Sequence, residues 1–107
     1  MPSKEYTHPK LDLADCHTSL RPANGEIWKD EVASVLGRLD DMKQRVKDKP
    51  ILFAEFGITD NNWQHAPELN QDRDFVHLHN ALWASMLSGY AGTVWHWYWD
   101  DIDKRNL

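Results

Sequence analysis

The chain has 107 residues, which suits one domain over residues 1–107, and its 41% hydrophobic and 27% charged content excludes wholesale disorder and a fibrous repeat. With 12 Lys and Arg against 17 Asp and Glu, the net charge of -5 argues against a phosphate-binding surface for nucleic acid or an anionic membrane. No apolar core of signal-peptide length opens the chain, and no window approaches the about 20 apolar residues of a membrane span, which predicts a cytoplasmic protein with no membrane partner.

The first predicted element is a strand over residues 11–20, LDLADCHTSL. Apolar residues alternate there with polar ones, and RPANG marks its end. Cys16 lies in this strand and is the only cysteine, which excludes an internal disulfide and a cysteine metal cluster. We therefore expect Cys16 to be a small buried apolar residue.

An amphipathic helix is predicted from Glu26 to Asp48, and it ends before Pro50. Its apolar residues recur at steps of three and four positions, with charged residues between them. The expected buried face consists of Ile27, Val32, Val35, Leu36, Leu39, Met42 and Val46.

A continuous apolar run, ILFAEFG at residues 51–57, is broken only by Glu55 and is typical of a strand buried on both faces of a parallel sheet. Residues 58–71 follow, and they are too polar and too interrupted by Pro67 to predict regular structure. A loop of this length usually carries function.

The segment DRDFVHLHNALWASMLSGY predicts a second helix, with Asp72 and Asp74 in its first turn and an end at Gly89 or Gly92. A broad apolar face runs along this helix, and we expect it to be buried. That face consists of Phe75, Leu78, Leu82, Trp83, Met86 and Leu87.

The histidines give no metal-binding pattern. His77 and His79 are two positions apart, so they lie on different faces of the second helix, and helix surface is the expected place for both. His8 and His65 lie in loops without a paired spacing. The sequence therefore predicts neither a metal site nor a cofactor.

The third predicted strand is TVWHWYW at residues 93–99, followed by the acidic DDID, which we expect to be solvated. Strand alternation sends its side chains to two faces. One face carries Trp95, Trp97 and Trp99, and the other carries Val94, His96 and Tyr98. At least one of these tryptophans is expected in the core.

The order of strand, helix, strand, helix, strand predicts an α/β fold with a parallel sheet. Functional side chains of such sheets lie at the carboxyl ends of the strands and in the loops that follow. Five chemically capable side chains are expected to converge there: His17, Glu55, Trp97, Trp99 and Asp100.

The segment PILFAEFGITD at residues 50–60 resembles the seventh strand of retaining glycoside hydrolases built on TIM barrels, the cellulase and mannanase relatives, in which a Glu in an E-F-G or E-x-G setting is the nucleophile. HNALWASMLSGYAGTVWHWYWDD is similar to the next helix and the eighth strand of that clan, whose end carries a sugar-stacking Trp. LDLADCHTSL is similar to the sixth strand, which often has a His near its tip. The resemblance spans about residues 8–103.

This resemblance implies a partial (β/α) TIM barrel, half-barrel-like, with Glu55 as the catalytic nucleophile and a polysaccharide or oligosaccharide as substrate. An ionised carboxylate attacks the anomeric carbon, while aromatic rings bind the apolar faces of sugars. The expected substrate-binding residues are His17, Trp63, Trp97, Trp99 and Asp100, with His65 beside Trp63 in a neighbouring subsite.

The chain also departs from this clan. Retaining hydrolysis needs two carboxyl groups about 5–5.5 Å apart, and the clan supplies the acid/base from an Asn-Glu pair that this sequence does not contain. A complete barrel has eight strands in about 250 residues, whereas three strands are predicted here. We therefore expect hydrolysis by this chain alone to be weak or absent, and a secreted parent enzyme stays open.

An open piece of parallel sheet exposes its edges and faces, which favours self-association. The sequence predicts a homo-oligomer, with a dimer favoured, in which two copies of Glu55 share one assembly. Two other hypotheses stay open. One is a non-catalytic carbohydrate-binding or structural oligomerisation module, and the other is one half of a split glycosidase whose missing strands come from another chain.

Overall fold

The computed structural model describes residues 4–26 and 28–106. Three strands form a parallel sheet in the order β1-β2-β3, with β1 at Ala14–Leu20, β2 at Ile51–Ile58 and β3 at Trp95–His96. The α-helices are α1 (Glu31–Arg45), α2 (Val76–Ser88) and α3 (Trp99–Arg105), and short 3-10 helices cover Lys4–Thr7, Pro22–Asn24 and Pro67–Gln71. The predicted α/β fold with parallel strands is confirmed. Within these described residues, no helix is both long enough and apolar enough to cross a membrane.

The pairing between β1 and β2 contains one irregularity, which fixes the orientation of Glu55. Cys16 lies opposite Phe53. The next residue, His17, lies opposite Glu55, so β2 has one extra residue at this point. Such an extra residue turns the side chains that follow to the other face of the sheet. As a result Phe53 and Phe56 are both fully buried, whereas Glu55 lies on the opposite face.

The hydrophobic core lies between the sheet and the two helices α1 and α2, which pack against each other. It consists of Ala14, Cys16, Leu20, Val35, Leu39, Met42, Val46, Ile51, Phe53, Phe56, Ala81, Tyr90 and Val94. Cys16 is buried and unpaired, as predicted. The prediction that β2 is buried on both faces is wrong, because this core covers one face and leaves Leu52, Ala54 and Glu55 partly exposed.

The helix α1 forms within the predicted segment but is shorter at both ends. It begins after Asp30, whose side chain accepts a hydrogen bond from a backbone N–H of the first turn. The predicted burial is confirmed for Val35, Leu39, Met42 and Val46. Val32 and Leu36 are exposed instead, since they line an open groove between α1 and α2. Ile27 lies outside the described residues.

The helix α2 starts later than predicted. Asp72 therefore precedes the helix instead of lying in its first turn. The Asp72 carboxylate accepts hydrogen bonds from the backbone N–H groups of Val76 at 2.9 Å and His77 at 2.8 Å. Phe75, just before the helix, has a left-handed backbone with φ 53°. The helix ends before Gly89, which adopts φ 100°, so the predicted glycine end is confirmed.

Phe75 is buried as predicted, but within α2 the buried residues differ from the predicted ones. The buried residues are small or polar and follow one another at four-residue spacing: His77, Ala81 and Ser85. Small side chains let a helix approach its neighbours closely, so these residues face the sheet and α1. Three of the larger apolar residues are exposed instead: Trp83, Met86 and Leu87, the last at 75%.

The third strand is much shorter than predicted. β3 covers Trp95 and His96 only, and a helix begins at Trp99. After the strand the backbone N–H of Tyr98 donates to His96 Nδ1 at 3.0 Å, and Tyr98 directly precedes α3. The acidic DDID segment therefore belongs to α3, and its Asp101 is buried, so the expectation of a solvated end is wrong for this residue.

The alternation predicted for this aromatic segment is confirmed. Val94, His96 and Tyr98 are buried. Trp95, Trp97 and Trp99 are all exposed, with Trp95 at 76%. The expectation that one of these tryptophans lies in the core is therefore wrong, because the core forms on the face that carries the smaller and polar side chains.

Candidate functional site

A cavity of about 460 Å³ lies on the sheet face opposite α1 and α2. Four of its lining residues were predicted from the sequence, and the structure brings them together: His17, Glu55, Trp63 and Trp97. Ser19 also lines it and was not predicted. Its position two residues after His17 on β1 is the signal that could have identified it, since alternate residues of a strand share one face.

Glu55 and His17 form the polar centre of this cavity. The Glu55 side chain is 23% exposed and its Oε2 lies 3.2 Å from Nδ1 of His17. The other ring nitrogen of His17, Nε2, lies 3.5 Å from Oδ2 of Asp15. His17 therefore stands between two carboxylates, and these contacts orient its ring. Asp15 was not singled out in the sequence, although it precedes His17 by two positions on the same face of β1.

The backbone next to Glu55 allows Trp97 to come close. A Cβ placed on Gly57 would lie 3.2 Å from Cβ of Trp97, a separation tighter than ordinary van der Waals contact. The backbone N–H of Trp97 donates to the carbonyl of Phe56 at 2.9 Å, so the chain still follows β2 beyond the end of β3. Glycine in the E-F-G sequence thus permits the Trp97 wall of the cavity.

The opposite wall comes from the segment after β2, which has more order than a plain loop. Thr59 and His65 form an isolated antiparallel bridge, and the turn between them carries Trp63. The prediction of an irregular loop over residues 58–71 is therefore wrong at both ends, because Ile58 belongs to β2 and a 3-10 helix covers Pro67–Gln71. The predicted functional residue Trp63 nevertheless reaches the Glu55 cavity.

Three predicted residues lie outside the lining of this cavity. The ring of His65 packs against Tyr98 with centroids 3.9 Å apart, and its Nε2 lies 3.7 Å from Asp101 Oδ2. Trp99 lines a different cavity of about 400 Å³ beside α2 and α3. Asp100 is on the first turn of α3 and pairs with Lys104. The early start of α3 carries Trp99 and Asp100 away from Glu55.

A second group of polar residues is buried between α2 and β3. The backbone N–H of Tyr98 donates to His96 Nδ1, so the His96 proton resides on Nε2. That nitrogen lies 2.9 Å from Nε2 of His77, which must accept. His77 in turn donates from Nδ1 to the Asp72 carboxylate. The four groups form one hydrogen-bonded chain, which we call the histidine chain.

The prediction that His77 lies on the helix surface is wrong. Its side chain is 0% exposed. The ring can be buried because Asp72 and His96, which lie outside the helix, form hydrogen bonds with its two nitrogens. Burial lowers the pKa of His77, and the contacts with Asp72 oppose this effect only in part. Burial, followed by the neighbouring His77, lowers the pKa of His96 to about 4. Both rings are therefore neutral near pH 7, as their hydrogen bonds require. His79 is exposed, as predicted.

The described lining of the cavity contains a single carboxylate. Among the described residues that line it, Glu55 is the only carboxylate, and Asp15 lies behind His17. Double displacement at a sugar needs a second carboxyl group to protonate the leaving oxygen. Among the residues that the structure describes, no group of three or more His, Cys, Asp or Glu is placed to hold a metal ion.

Comparisons with protein-family models, with curated proteins and with solved structures find no match for this chain.

Proposed function

We propose that this chain is a glycoside-hydrolase-like partial (β/α) barrel that carries the nucleophile-side half of a retaining β-glycosidase site. The observation that supports this most directly is the position of Glu55, which lies 3.2 Å from His17 in a cavity walled by Trp63 and Trp97. Aromatic walls around a carboxylate suit a sugar ring, because indole faces bind its apolar C–H surface while the carboxylate addresses the anomeric carbon.

The chemistry assigned to Glu55 is nucleophilic attack. A Glu55 oxygen bonds to the anomeric carbon, the bond from that carbon to the leaving oxygen breaks, and the leaving group takes the electron pair. A sugar alkoxide is a poor leaving group and needs a proton, which a second carboxylic acid supplies in a complete site. Because the cavity lacks that acid among its described lining residues, the isolated chain hydrolyses natural glycosides weakly or not at all.

The same reasoning supports assembly into a homo-oligomer, with a dimer favoured. The sheet has α1 and α2 on one face, and the face with Glu55 and Trp95 has no described helix over it. Parallel sheets are normally covered on both faces, so a second copy placed over this face would bury it. The same contact would bring a carboxylate of the second copy toward Glu55.

The decisive experiment uses a substrate that needs no acid. A dinitrophenyl β-glycoside releases dinitrophenolate without protonation, so Glu55 alone can displace it. We expect a burst of up to one dinitrophenolate per chain and a glycosyl ester on Glu55, detected by mass spectrometry of peptides. Glu55→Gln abolishes both, while Asp48→Asn, an exposed carboxylate before β2, retains both. If the wild-type chain forms no ester on Glu55, the nucleophile assignment is refuted.

A second candidate function is saccharide binding without turnover, and the lone carboxylate in the cavity favours it. This alternative predicts that β-linked oligosaccharides bind equally well to wild type and to Glu55→Gln, with no ester formed from the activated glycoside. The split-glycosidase alternative predicts turnover only after a chain that supplies the missing strands and acid has been added.

A further inference from the structure

The turn that carries Trp63 is fixed by a single acidic residue. The side-chain Oδ1 of Asp60 accepts hydrogen bonds from the backbone N–H groups of Asn62 at 2.7 Å and Gln64 at 2.8 Å. The backbone N–H of Asp60 donates to the Gln64 carbonyl at 2.8 Å. Asp60 therefore holds both ends of the turn and determines its shape, as Asp side chains do in tight turns.

Trp63 itself has an unusual backbone. Its φ is 62°, in the left-handed region that bulky residues rarely occupy. Such strain persists where surrounding contacts over-determine the conformation, and it concentrates at functional sites. Here the Trp63 carbonyl accepts hydrogen bonds from the indole Nε1 of Trp97 at 3.4 Å and from the hydroxyl of Tyr98 at 3.3 Å. The two tryptophans of the cavity are thus tied to each other.

A cation covers the Trp63 ring. The guanidinium carbon of Arg21 lies 5.5 Å from the ring centroid, within the range of a cation–π contact. Arg21 is held in turn by Glu26, which accepts from the Arg21 backbone N–H at 2.7 Å and from its guanidinium at 3.2 Å. Trp63 as a whole residue remains 54% exposed, so Arg21 does not cover it completely.

We infer that Asp60 and Arg21 are positioning residues that hold Trp63 as a rigid wall of the Glu55 cavity, so that one neutral sugar ring binds between Trp63 and Trp97. This inference rests on the proposed saccharide function of the site. Folding has already fixed the ring, so binding does not have to order it, and affinity is preserved. A neutral ring fits because Glu55 disfavours an anionic ligand.

The test compares Asp60→Ala, Asp60→Asn and the control Asp48→Ala in the full chain. Affinity is measured by calorimetry with β-1,4-linked hexasaccharides of glucose and of mannose, and hydrogen exchange of the Trp97 indole N–H by NMR. Asp60→Ala is expected to weaken binding about tenfold, the cost of ordering a side chain and its turn, and to speed Trp97 exchange. Asp60→Asn keeps an acceptor oxygen and retains both properties. Wild-type affinity in Asp60→Ala, despite faster exchange, overturns the inference.

The strained backbone is tested separately by Trp63→Gly and Trp63→Ala, which both remove the ring. The glycine variant is expected to melt at the higher temperature, because glycine adopts a positive φ without strain. The reverse order contradicts the constrained wall. If wild type binds neither hexasaccharide, the saccharide function fails, while the exchange data and the glycine–alanine comparison still decide whether Trp63 is held in place.

Discussion

Acidification should weaken the fold through the histidine chain. In the folded protein His96 accepts a hydrogen bond at Nδ1 and has a pKa of about 4, whereas a free histidine has 6.5. Above pH 6.5 the His96 ring is neutral in both the folded and the unfolded state. The histidine chain then makes its full contribution to the stability of the fold. As the pH falls from about 6.5 to about 4, the unfolded state takes up the proton first, so stability is lost across this window.

The size of the loss follows from the two pKa values. Their difference corresponds to about 3 kcal/mol for His96 alone, since His96 is almost fully buried. The lowered pKa of His77 acts in the same direction. Small domains are stable by about 5–15 kcal/mol, so this is a large fraction of the total. Asp72 titrates below the window, because the hydrogen bonds from His77 and Val76 outweigh its burial and hold its pKa below the ordinary value.

The assay is urea unfolding followed by far-ultraviolet circular dichroism at half-unit steps from pH 4 to pH 8. The readout is the slope of unfolding free energy against pH, which stays meaningful even if a variant is less stable overall. His96→Gln should remove most of the slope, and His79→Gln, an exposed histidine on α2, should leave it unchanged. Asp101 and His65 also act on His96 and are present in every variant. An equal slope in wild type and His96→Gln would refute the reasoning.

Two further predictions concern the backbone and the assembly. Gly89→Ala should lower the free energy of unfolding by about 1 kcal/mol, because φ is 100° there. Gly37→Ala, where an added Cβ meets nothing within 4 Å, should raise the free energy of unfolding by about 1 kcal/mol. If urea unfolding shows a change of the same sign for both variants, this prediction is contradicted. Light scattering on a size-exclusion column should give a mass of two or more chains, and Trp95→Asp on the sheet face with no described helix over it should reduce it. A well-behaved wild-type monomer would remove the basis for self-association.

Periodicity predicted which side chains share a face more reliably than it predicted which face is buried. Strand alternation separated Trp95 and Trp97 from Val94 and His96, and that division is confirmed. We chose the buried face by hydrophobicity, and that choice was wrong. The buried polar groups are hydrogen-bonded to one another in the histidine chain, and the sequence does not reveal these pairings. Those partners lie on separate elements, so no spacing within α2 reveals them.

The sequence predicted the site residues whose place depends on position along a strand. It failed for residues whose place depends on where the strand ends. His17 and Glu55 follow from the parallel order of their strands, although Glu55 lies within β2 and not beyond its end. Trp63 was expected in a neighbouring subsite from the resemblance and from its place in a long polar segment, and it lines the Glu55 cavity itself. Trp99 was misplaced because β3 ends at His96, three residues before the predicted end, and α3 begins at Trp99, a change that aromatic composition does not indicate.

The extra residue in β2 makes the orientation of Glu55 a matter of counting. Ala54 and Glu55 are consecutive residues that both avoid the core, so the strand changes its inside–outside phase between them. Loss of Ala54 would restore strict alternation and leave Phe53 and Phe56 on the core face and Glu55 on the opposite face, because His17 would still lie opposite Glu55. In a β2 of the present length without this irregularity, strict alternation from Phe53 would place Glu55 on the core face, so the extra residue is what keeps the carboxylate on the cavity face. Deletion of Ala54 is consequently a single-residue deletion in β2 that preserves the face of Glu55, whereas a second inserted residue between Ala54 and Phe56 would change the phase of the strand again.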